Sequence, residues 1–233
     1  TVFTSAIQSN GGILIGGAFY TYNGITSPYL ARITTNGSLD TGFGPGEGPT
    51  QILPGEAAVP FAIALQADGR IIIGGGFNFY DGVSRNGIAR LHADGSLDTS
   101  FDPGTGANND VRSVAIQPDG KIIVGGQFTA FNGTLINRFA RLNTDGSLDA
   151  SFNVGQGANG TVSEIVLQPD GDILIGGGFN SYMQVARSGV ARVNTDGSLD
   201  TGFDPGTGAN GTVNALALQT DGRVLLAGEF TLY

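Results

Sequence analysis

The sequence lacks cysteine and is poor in lysine and histidine, with Lys121 and His92 as the single examples of each. Without a thiol there is no disulfide, no thiolate metal site and no cysteine nucleophile. His92 begins a turn where asparagine stands in two other copies of the same motif. A Ser–His–Asp triad is therefore not indicated, because a repeated turn explains this position.

Basic residues are scarce: 11 Lys and Arg oppose 20 Asp and Glu, which gives a net charge of −9. An acidic protein is repelled by phosphate backbones, so we expect no nucleic-acid partner. No apolar run approaches the roughly 18 residues that a membrane-spanning helix needs, so we expect no membrane insertion. The chain begins at Thr1 without a methionine or a signal peptide, which favours a processed protein or a part of a longer one.

Glycine, by contrast, is abundant, with 40 residues against an average usage of about 7%. The glycines cluster in a repeated motif. ADGRIIIGGGF (67–77) recurs at 118–128, 169–179 and 220–230, with a weaker copy at 10–19. The GSLD motif begins at Gly37, Gly95, Gly146 and Gly197, at spacings of 58, 51 and 51 residues. The longer first spacing reflects extra residues in the loop at 46–60.

Each repeat has the pattern of four short strands, which we call A, B, C and D. In the third repeat they are VRSVAIQ (111–117), KIIVGGQF (121–128), RFARLN (138–143) and SLDASF (147–152). Four antiparallel strands every 40–50 residues or so are typical of a β-propeller blade. A β-solenoid is the main alternative, although its coils are usually shorter.

The sequence thus predicts an all-β protein with one β-propeller domain over 1–233. It has four full repeats of four-stranded antiparallel blades plus the A–B hairpin of a fifth. The approximate repeats are 1–58, 59–109, 110–160, 161–211 and the partial 212–233. Because closed propellers usually contain whole blades, we expect either that these residues belong to a longer chain or that another chain completes the last hairpin.

NTDGSLD, found at 143–149 and 194–200, raises the choice between a calcium loop and a tight turn. Propeller calcium loops of the integrin kind run D-x-D-x-D-G-x-x-D, but arginine occupies the first acidic position in all four copies here. A type I turn followed by a left-handed glycine fits the motif instead. Its register places an arginine opposite an aspartate in every full repeat: Arg32 and Asp40, Arg90 and Asp98, Arg141 and Asp149, Arg192 and Asp200. We therefore expect cross-strand ion pairs and no metal.

Signals for catalysis are weak throughout the chain. No phosphate-binding loop motif is present. A glycosidase would need a pair of carboxylates, yet most aspartates recur at matching turn positions. We therefore predict a protein without enzymatic activity and without a cofactor.

The B–C and D–A loops of a propeller blade share one face, and here the B–C loops vary strongly between repeats. Variable loops on a rigid scaffold commonly carry binding sites. The predicted ligand contacts on this face are Tyr22, Tyr29, Arg85, Asn86, Asn137, Arg138 and Arg187.

The repeat as a whole, A-L-A-L-Q-x-D-G-[RK]-[IV]-L-[IL]-[GA]-G-x-F followed by A-R-L-N-x-D-G-S-L-D-x-x-F-D-P-G, resembles the bacterial delta-60 repeat. The resemblance covers essentially the whole chain. Met183–Gln184 departs from it where other repeats have a turn dipeptide ending in glycine. The resemblance to the delta-60 repeat implies a secreted or cell-surface bacterial protein with tandem propeller repeats and no established catalytic residues.

Three functions follow as hypotheses. The first is an extracellular binding or adhesion module for a glycan or a surface protein. The second is a structural subunit of a filament, fibre or virion, self-associating through the terminal hairpin. The third, less favoured, is a propeller hydrolase or lyase.

Overall fold

A computed structural model describes residues 1–51 and 58–233. Every regular element in these ranges is a β-strand, as predicted. Part of the loop predicted at 46–60 lies outside the described residues.

The first repeat contains β1 (Val2–Ile7), β2 (Ile13–Gly17), β3 (Thr21–Tyr22), β4 (Ile25–Thr26) and β5 (Leu30–Ile33). The short strand β6 (Pro49–Thr50) precedes the second repeat, which contains β7 (Val59–Leu65), β8 (Ile71–Gly76), β9 (Phe79–Tyr80), β10 (Val83–Ser84) and β11 (Ile88–Leu91).

The third repeat contains β12 (Val111–Ile116), β13 (Ile122–Gly126), β14 (Ala130–Phe131), β15 (Thr134–Leu135) and β16 (Phe139–Leu142). The fourth contains β17 (Val162–Leu167), β18 (Ile173–Gly177), β19 (Ser181–Tyr182), β20 (Val185–Ala186) and β21 (Val190–Val193). The last hairpin is β22 (Val213–Leu218) with β23 (Val224–Gly228).

Each full repeat forms one blade, numbered here in chain order, with strands A, B and C in an antiparallel sheet. The third blade, for example, has the order β12-β13-β16. The predicted strand D is reduced to a single bridge beside strand C, such as Leu142 opposite Leu148. After that pair, the Asp149 N–H makes one more bond to the Arg141 carbonyl. The Asp149 side chain then accepts from the N–H and hydroxyl of Ser151, and the chain turns away.

Successive blades pack through their A strands, so that β7 contacts β1 and β12, and β17 contacts β12 and β22. The glycine pair at the end of each B strand makes this packing possible. A Cβ added to Gly125 would lie 2.6 Å from Cγ1 of Val162 in the next blade. A Cβ on Gly126 would lie 2.1 Å from the Asp110 carbonyl oxygen, opposite the bulge between Val111 and Ser113.

The B–C segments, expected as loops, each contain a short hairpin. Its two turn residues have positive φ, as a two-residue type I′ turn requires, for example Asn132 at 45° and Gly133 at 72°. Met183 and Gln184 adopt the same shape, with φ of 48° and 66°. The departure from the repeat pattern therefore leaves the turn unchanged, at the cost of holding two non-glycine residues in the left-handed region.

Each D–A segment runs beside the B–C hairpin of the following blade. Ala107 bridges to Phe131 and Ala158 to Tyr182, and β6 pairs with β9 in the same way. The two kinds of segment thus lie together and form a shared surface at each blade junction.

Candidate functional site: inter-blade ties and an amide-lined groove

The NTDG segment forms the tight turn that its sequence favours. Asn143 N–H donates to the Ser147 carbonyl at 2.8 Å, and Gly146 N–H donates to the Asn143 carbonyl at 3.0 Å. Gly146 has a φ of 96°, in the left-handed region. This register sets Arg141 against Asp149, and the Asp149 N–H donates to the Arg141 carbonyl at 2.9 Å.

All four arginine–aspartate pairs are in contact through Nε and Oδ2. The distances are 2.8 Å for Arg32–Asp40, 2.7 Å for Arg90–Asp98, 2.8 Å for Arg141–Asp149 and 2.6 Å for Arg192–Asp200. Each guanidinium also lies over a phenylalanine ring of its own repeat, as Arg141 does over Phe152 at 4.4 Å. The pairs therefore combine charge, hydrogen bonding and cation–π contact.

The same arginines reach the next blade. Nη1 of Arg32, Arg90 and Arg141 donates to the carbonyls of Ala93, Thr144 and Thr195, at 2.6, 2.6 and 2.8 Å. Each acceptor lies in the C–D turn of the following repeat. The ion pair thus ties two blades together.

Three of the four carboxylate oxygens of this turn already accept hydrogen bonds. Asp145 Oδ1 accepts from the Ser147 N–H at 2.9 Å and from its hydroxyl at 2.6 Å. Asp149 accepts from Arg141, Lys121 and Ser151. Over 1–51 and 58–233, no three acidic or histidine side chains converge as a metal site would require.

Blade 4 departs from this charge pattern. Strand B is directly preceded by Arg70 in blade 2 and by Lys121 in blade 3, and both contact the aspartate of the pair. In blade 4 the residue is Asp172, whose pKa is raised by burial and by the neighbouring carboxylates of Asp170 and Asp200, against the opposing effect of Arg192. Two carboxylates therefore compete for one arginine there.

On the loop surface, a groove of about 480 Å³ lies between blades 2 and 3. This volume lies within the range of roughly 300–1,000 Å³ that small-ligand sites occupy. Side-chain amides dominate its polar lining, which comprises Gln51, Asn78, Asn86, Thr105, Asn108, Asn109 and Asp110. Buried Phe77 and backbone glycines form the rest of the wall.

Hydrogen bonds hold several of these side chains in place. Asn86 accepts from Asn78 at 3.0 Å and donates to the Thr105 carbonyl at 2.8 Å. Asn108 Oδ1 accepts from the N–H groups of Thr129 and Ala130. The groove is thus a pre-organised surface of amide groups, and the neighbouring Asn109 and Thr105 are exposed.

Smaller openings occupy the equivalent positions at the next two junctions. One, of about 190 Å³, is lined by Asn137, Arg138, Gln156, Asn159 and Gln184, among others. Another, of about 330 Å³, includes Asn180, Ser188, Asn210 and Thr212. The repeat therefore places an amide-lined opening at successive junctions.

The predicted ligand contacts occupy different environments. Asn86, Asn137 and Arg138 line the junction openings. Tyr22 is half-buried, with its hydroxyl donating to the Gly37 carbonyl at 2.9 Å, and Tyr29 packs against the core of blades 1 and 2. Arg85 and Arg187 are buried, at 7% and 9% exposure, and lie outside the grooves.

Other groove residues were not anticipated from the sequence. Asn108 is the last residue of the segment DPGTGAN (102–108), which recurs at 204–210, and Asn109 and Asp110 follow it. The recurrence of its asparagine at Asn159 and Asn210 was the available signal, because each caps the next hairpin in the same way.

The blades and their stacking define the chain as a β-propeller repeat protein. A model of a β-propeller domain of unknown function, DUF5122, matches residues 8–43, 66–101, 117–152 and 168–203, more than half of the chain. The chain belongs to this family. The predicted propeller architecture is confirmed, while the narrower delta-60 name remains a resemblance.

Solved structures with the same fold are distant in sequence. A gluconolactonase from Xanthomonas campestris is 13% identical with a TM-score of 0.56, over 97% of this chain and 69% of that protein. The extracellular domain of a hybrid two-component system from B. thetaiotaomicron is 12% identical with a TM-score of 0.56, over 97% and 25%. Virginiamycin B lyase from Staphylococcus aureus is 14% identical with a TM-score of 0.52, over 97% and 62%.

At these identities the likeness establishes the fold alone. The chain spans only about a fifth of the extracellular domain of a one-component system from B. thetaiotaomicron that it also matches. Comparison with curated proteins finds no match. In the described ranges, no helix is long and apolar enough to cross a membrane.

Proposed function

We propose that this propeller is a non-catalytic, extracellular or cell-surface binding module that holds a neutral, hydroxyl-rich ligand such as an oligosaccharide in its junction grooves. The observation that carries the proposal is the groove between blades 2 and 3, with its ordered wall of side-chain amides. Amides donate and accept at once, as paired recognition of sugar hydroxyls requires.

The charge of the groove supports a neutral ligand. Its lining includes no cationic side chain among the described residues. Its one carboxylate, Asp110, is paired with Arg112 at 2.7 Å. A strongly anionic ligand would meet no counter-charge on the wall, whereas hydroxyl groups suit the amides.

The same feature argues for binding without catalysis. Hydrolysis of a glycosidic bond uses two carboxyl groups about 5–10 Å apart, and the described wall of the groove supplies one. The extracellular setting rests on the delta-60 resemblance and on the extracellular domains among the structural neighbours.

Titration calorimetry against a panel of neutral, acidic and basic oligosaccharides tests the proposal. We expect saturable binding of a neutral member. Thr105→Phe, which fills the groove from an exposed position, should abolish it, and Asn109→Ala should weaken it several-fold.

Thr195→Ala is the matched control, because this exposed turn residue lies outside the grooves and contributes only its backbone carbonyl to the inter-blade tie. It should bind as the unmodified chain does. Equal binding by Thr105→Phe, or no binding of any neutral glycan, would overturn the proposal. Turnover of a bound sugar would contradict its non-catalytic part.

A second candidate function is self-association, as in a fibre. Its support is apolar surface on the first strand and on the last hairpin with the residues that follow it, where Phe3, Ile7, Leu225, Leu232 and Tyr233 are each more than half exposed. Burying such side chains is favourable at about 25 cal/mol per Å². Sedimentation analysis should then show concentration-dependent assembly that Leu225→Lys abolishes, and a monomer at all concentrations would exclude it.

A further inference from the structure

One position in the B–C segment carries three different residue types in the four blades. It is Ser27 in blade 1, Arg85 in blade 2, Ile136 in blade 3 and Arg187 in blade 4. Its backbone N–H donates to the equivalent carbonyl every time, from 2.8 to 3.2 Å away. The four side chains therefore leave the backbone in the same direction.

Two of these side chains are buried arginines without a carboxylate partner. Arg85 and Arg187 are 7% and 9% exposed, and neither has an ion pair within the described ranges. Each donates from Nη1 to the carbonyl of the preceding residue at 2.7 Å, namely Ser84 and Ala186. The space beside this position thus accepts a guanidinium in two blades.

In blade 1 the short Ser27 leaves a cavity of about 230 Å³. Its wall includes Thr26, the counterpart of Ser84 and Ala186, together with Asp40 and Phe43. The volume is below the range of about 300–1,000 Å³ for small-ligand sites, which suits a single inserted side chain.

Asp40 has unused acceptor capacity in this cavity. In blade 2 the equivalent Asp98 also accepts from the Ser100 hydroxyl and contacts Arg70. In blade 1, Gly42 stands in the place of Ser100 and Gly12 in the place of Arg70. The Asp40 side chain is 30% exposed, against 3% for Asp98, so a carboxylate faces the cavity with one arginine beside it.

We propose that the blade 1 cavity binds the guanidinium of an arginine side chain presented by a partner polypeptide. The incoming group would take the place that Arg85 and Arg187 occupy in their own blades. It would donate to the Thr26 carbonyl and to Asp40. The net charge of −9 favours approach of such a cationic segment. This site is separate from the junction grooves and does not depend on their ligand.

Capped Gly-Arg-Gly, Gly-Lys-Gly and Gly-citrulline-Gly peptides, titrated into the whole chain by calorimetry, test the site. We expect the arginine peptide to bind with a stoichiometry of one and at least tenfold more tightly than the other two. N-ethylguanidinium serves as the small-molecule probe. Binding of this probe as tight as that of the arginine peptide would overturn the polypeptide partner.

Two substitutions that other blades already contain should close the cavity. Ser27→Arg copies blades 2 and 4, and Ser27→Ile copies blade 3, so at least one is expected to fold, and both should abolish binding. Arg187→Ser should instead open a second site and raise the stoichiometry to two, because Asp200, like Asp40, has a glycine, Gly202, where Asp98 has Ser100. Failure of the arginine peptide to bind, or unchanged binding after the cavity is filled, would overturn the proposal.

Discussion

Nη1 of Arg141 donates a 2.8 Å hydrogen bond to the carbonyl of Thr195, a residue 54 positions later in the chain. The same guanidinium holds Asp149 at 2.8 Å and lies over Phe152. A single side chain therefore closes the turn of one blade and fastens the next blade to it. Because its carbonyl acceptor is backbone, the tie is insensitive to which residue stands at position 195.

Arg141→Lys should lower the free energy of unfolding by about 2–3 kcal/mol, since a buried ion pair that loses its geometry leaves Asp149 under-compensated. Lysine cannot keep Asp149, Thr195 and the Phe152 ring together. Urea denaturation measures the change. Arg192→Lys is the matched control, because in the described ranges Arg192 makes no bond to a following turn. It should lose no more than about 1 kcal/mol, and equal losses would contradict an inter-blade role.

Asp172→Lys should stabilise the protein by about 0.5–1 kcal/mol, the range of a partly exposed ion pair. The lysine would reproduce Lys121 of blade 3 and contact Asp200. Removing the carboxylate also removes a group whose pKa is raised in the folded state by burial and by Asp170 and Asp200, and which therefore opposes folding at neutral pH.

Asp172→Asn separates the two contributions to that gain, because it ends the repulsion without adding a cation. Asp172→Asn should raise the free energy of unfolding less than Asp172→Lys does, and added salt should reduce the difference in stability between the two variants. A lysine variant no more stable than the asparagine variant would exclude the new ion pair.

Gly125→Ala should destabilise the protein by about 1–3 kcal/mol, as overpacking typically does, because the new methyl group meets Cγ1 of Val162 in the next blade. Thermal or urea unfolding gives the value. A Val162→Ala background removes this contact and leaves Cδ1 of Ile165 at 3.0 Å, so Gly125→Ala should cost less there. Additive effects of the two substitutions would argue against direct contact.

Acid should unfold the protein between about pH 4 and pH 2. Burial acts to raise the pKa of Asp98, but hydrogen bonds from the Ser100 hydroxyl and N–H, together with Arg90, lower it to about 2. A folded pKa below the unfolded value near 3.9 means stability that is present above about pH 4 and lost as the pH falls toward 2.

Stability measured in urea across this pH range checks the acid prediction. Asp98→Asn should be less stable at pH 7 and should show a smaller decrease on acidification. Glu47→Gln, an exposed change, should follow the unmodified profile. If the stability of Asp98→Asn fell with pH as steeply as that of the unmodified protein, a role for this carboxylate would be refuted.

Local physical chemistry explains how much of the fold the sequence predicts. The turn chemistry of Asn143–Ser147 sets the register, and the register alone brings Arg141 opposite Asp149. The glycine pair at the end of each B strand likewise indicates, from the sequence alone, that neighbouring strands approach closely.

What the sequence does not predict depends on contacts between blades. The bond from Arg141 to Thr195 joins a side chain to a backbone carbonyl, so no residue type marks its acceptor. Asn108 could not be assigned to a groove, because its position depends on how a D–A segment lies against the next hairpin. Arg85 is predicted as a ligand contact because it lies in a variable B–C loop, and its burial follows from the shape of the blade.

The D–A segments give the array a further property. Gly44, Asp102 and Asn153 each donate a backbone N–H to the carbonyl of an aspartate in the next C–D turn, at 2.7 Å in all three cases. Since both partners are main-chain groups at fixed places in the repeat, any copy offers the same donor and acceptor to any other. A duplicated repeat would therefore already have an interface complementary to its neighbours. The number of blades and the order of their variable hairpins can thus change by recombination without redesign of that interface.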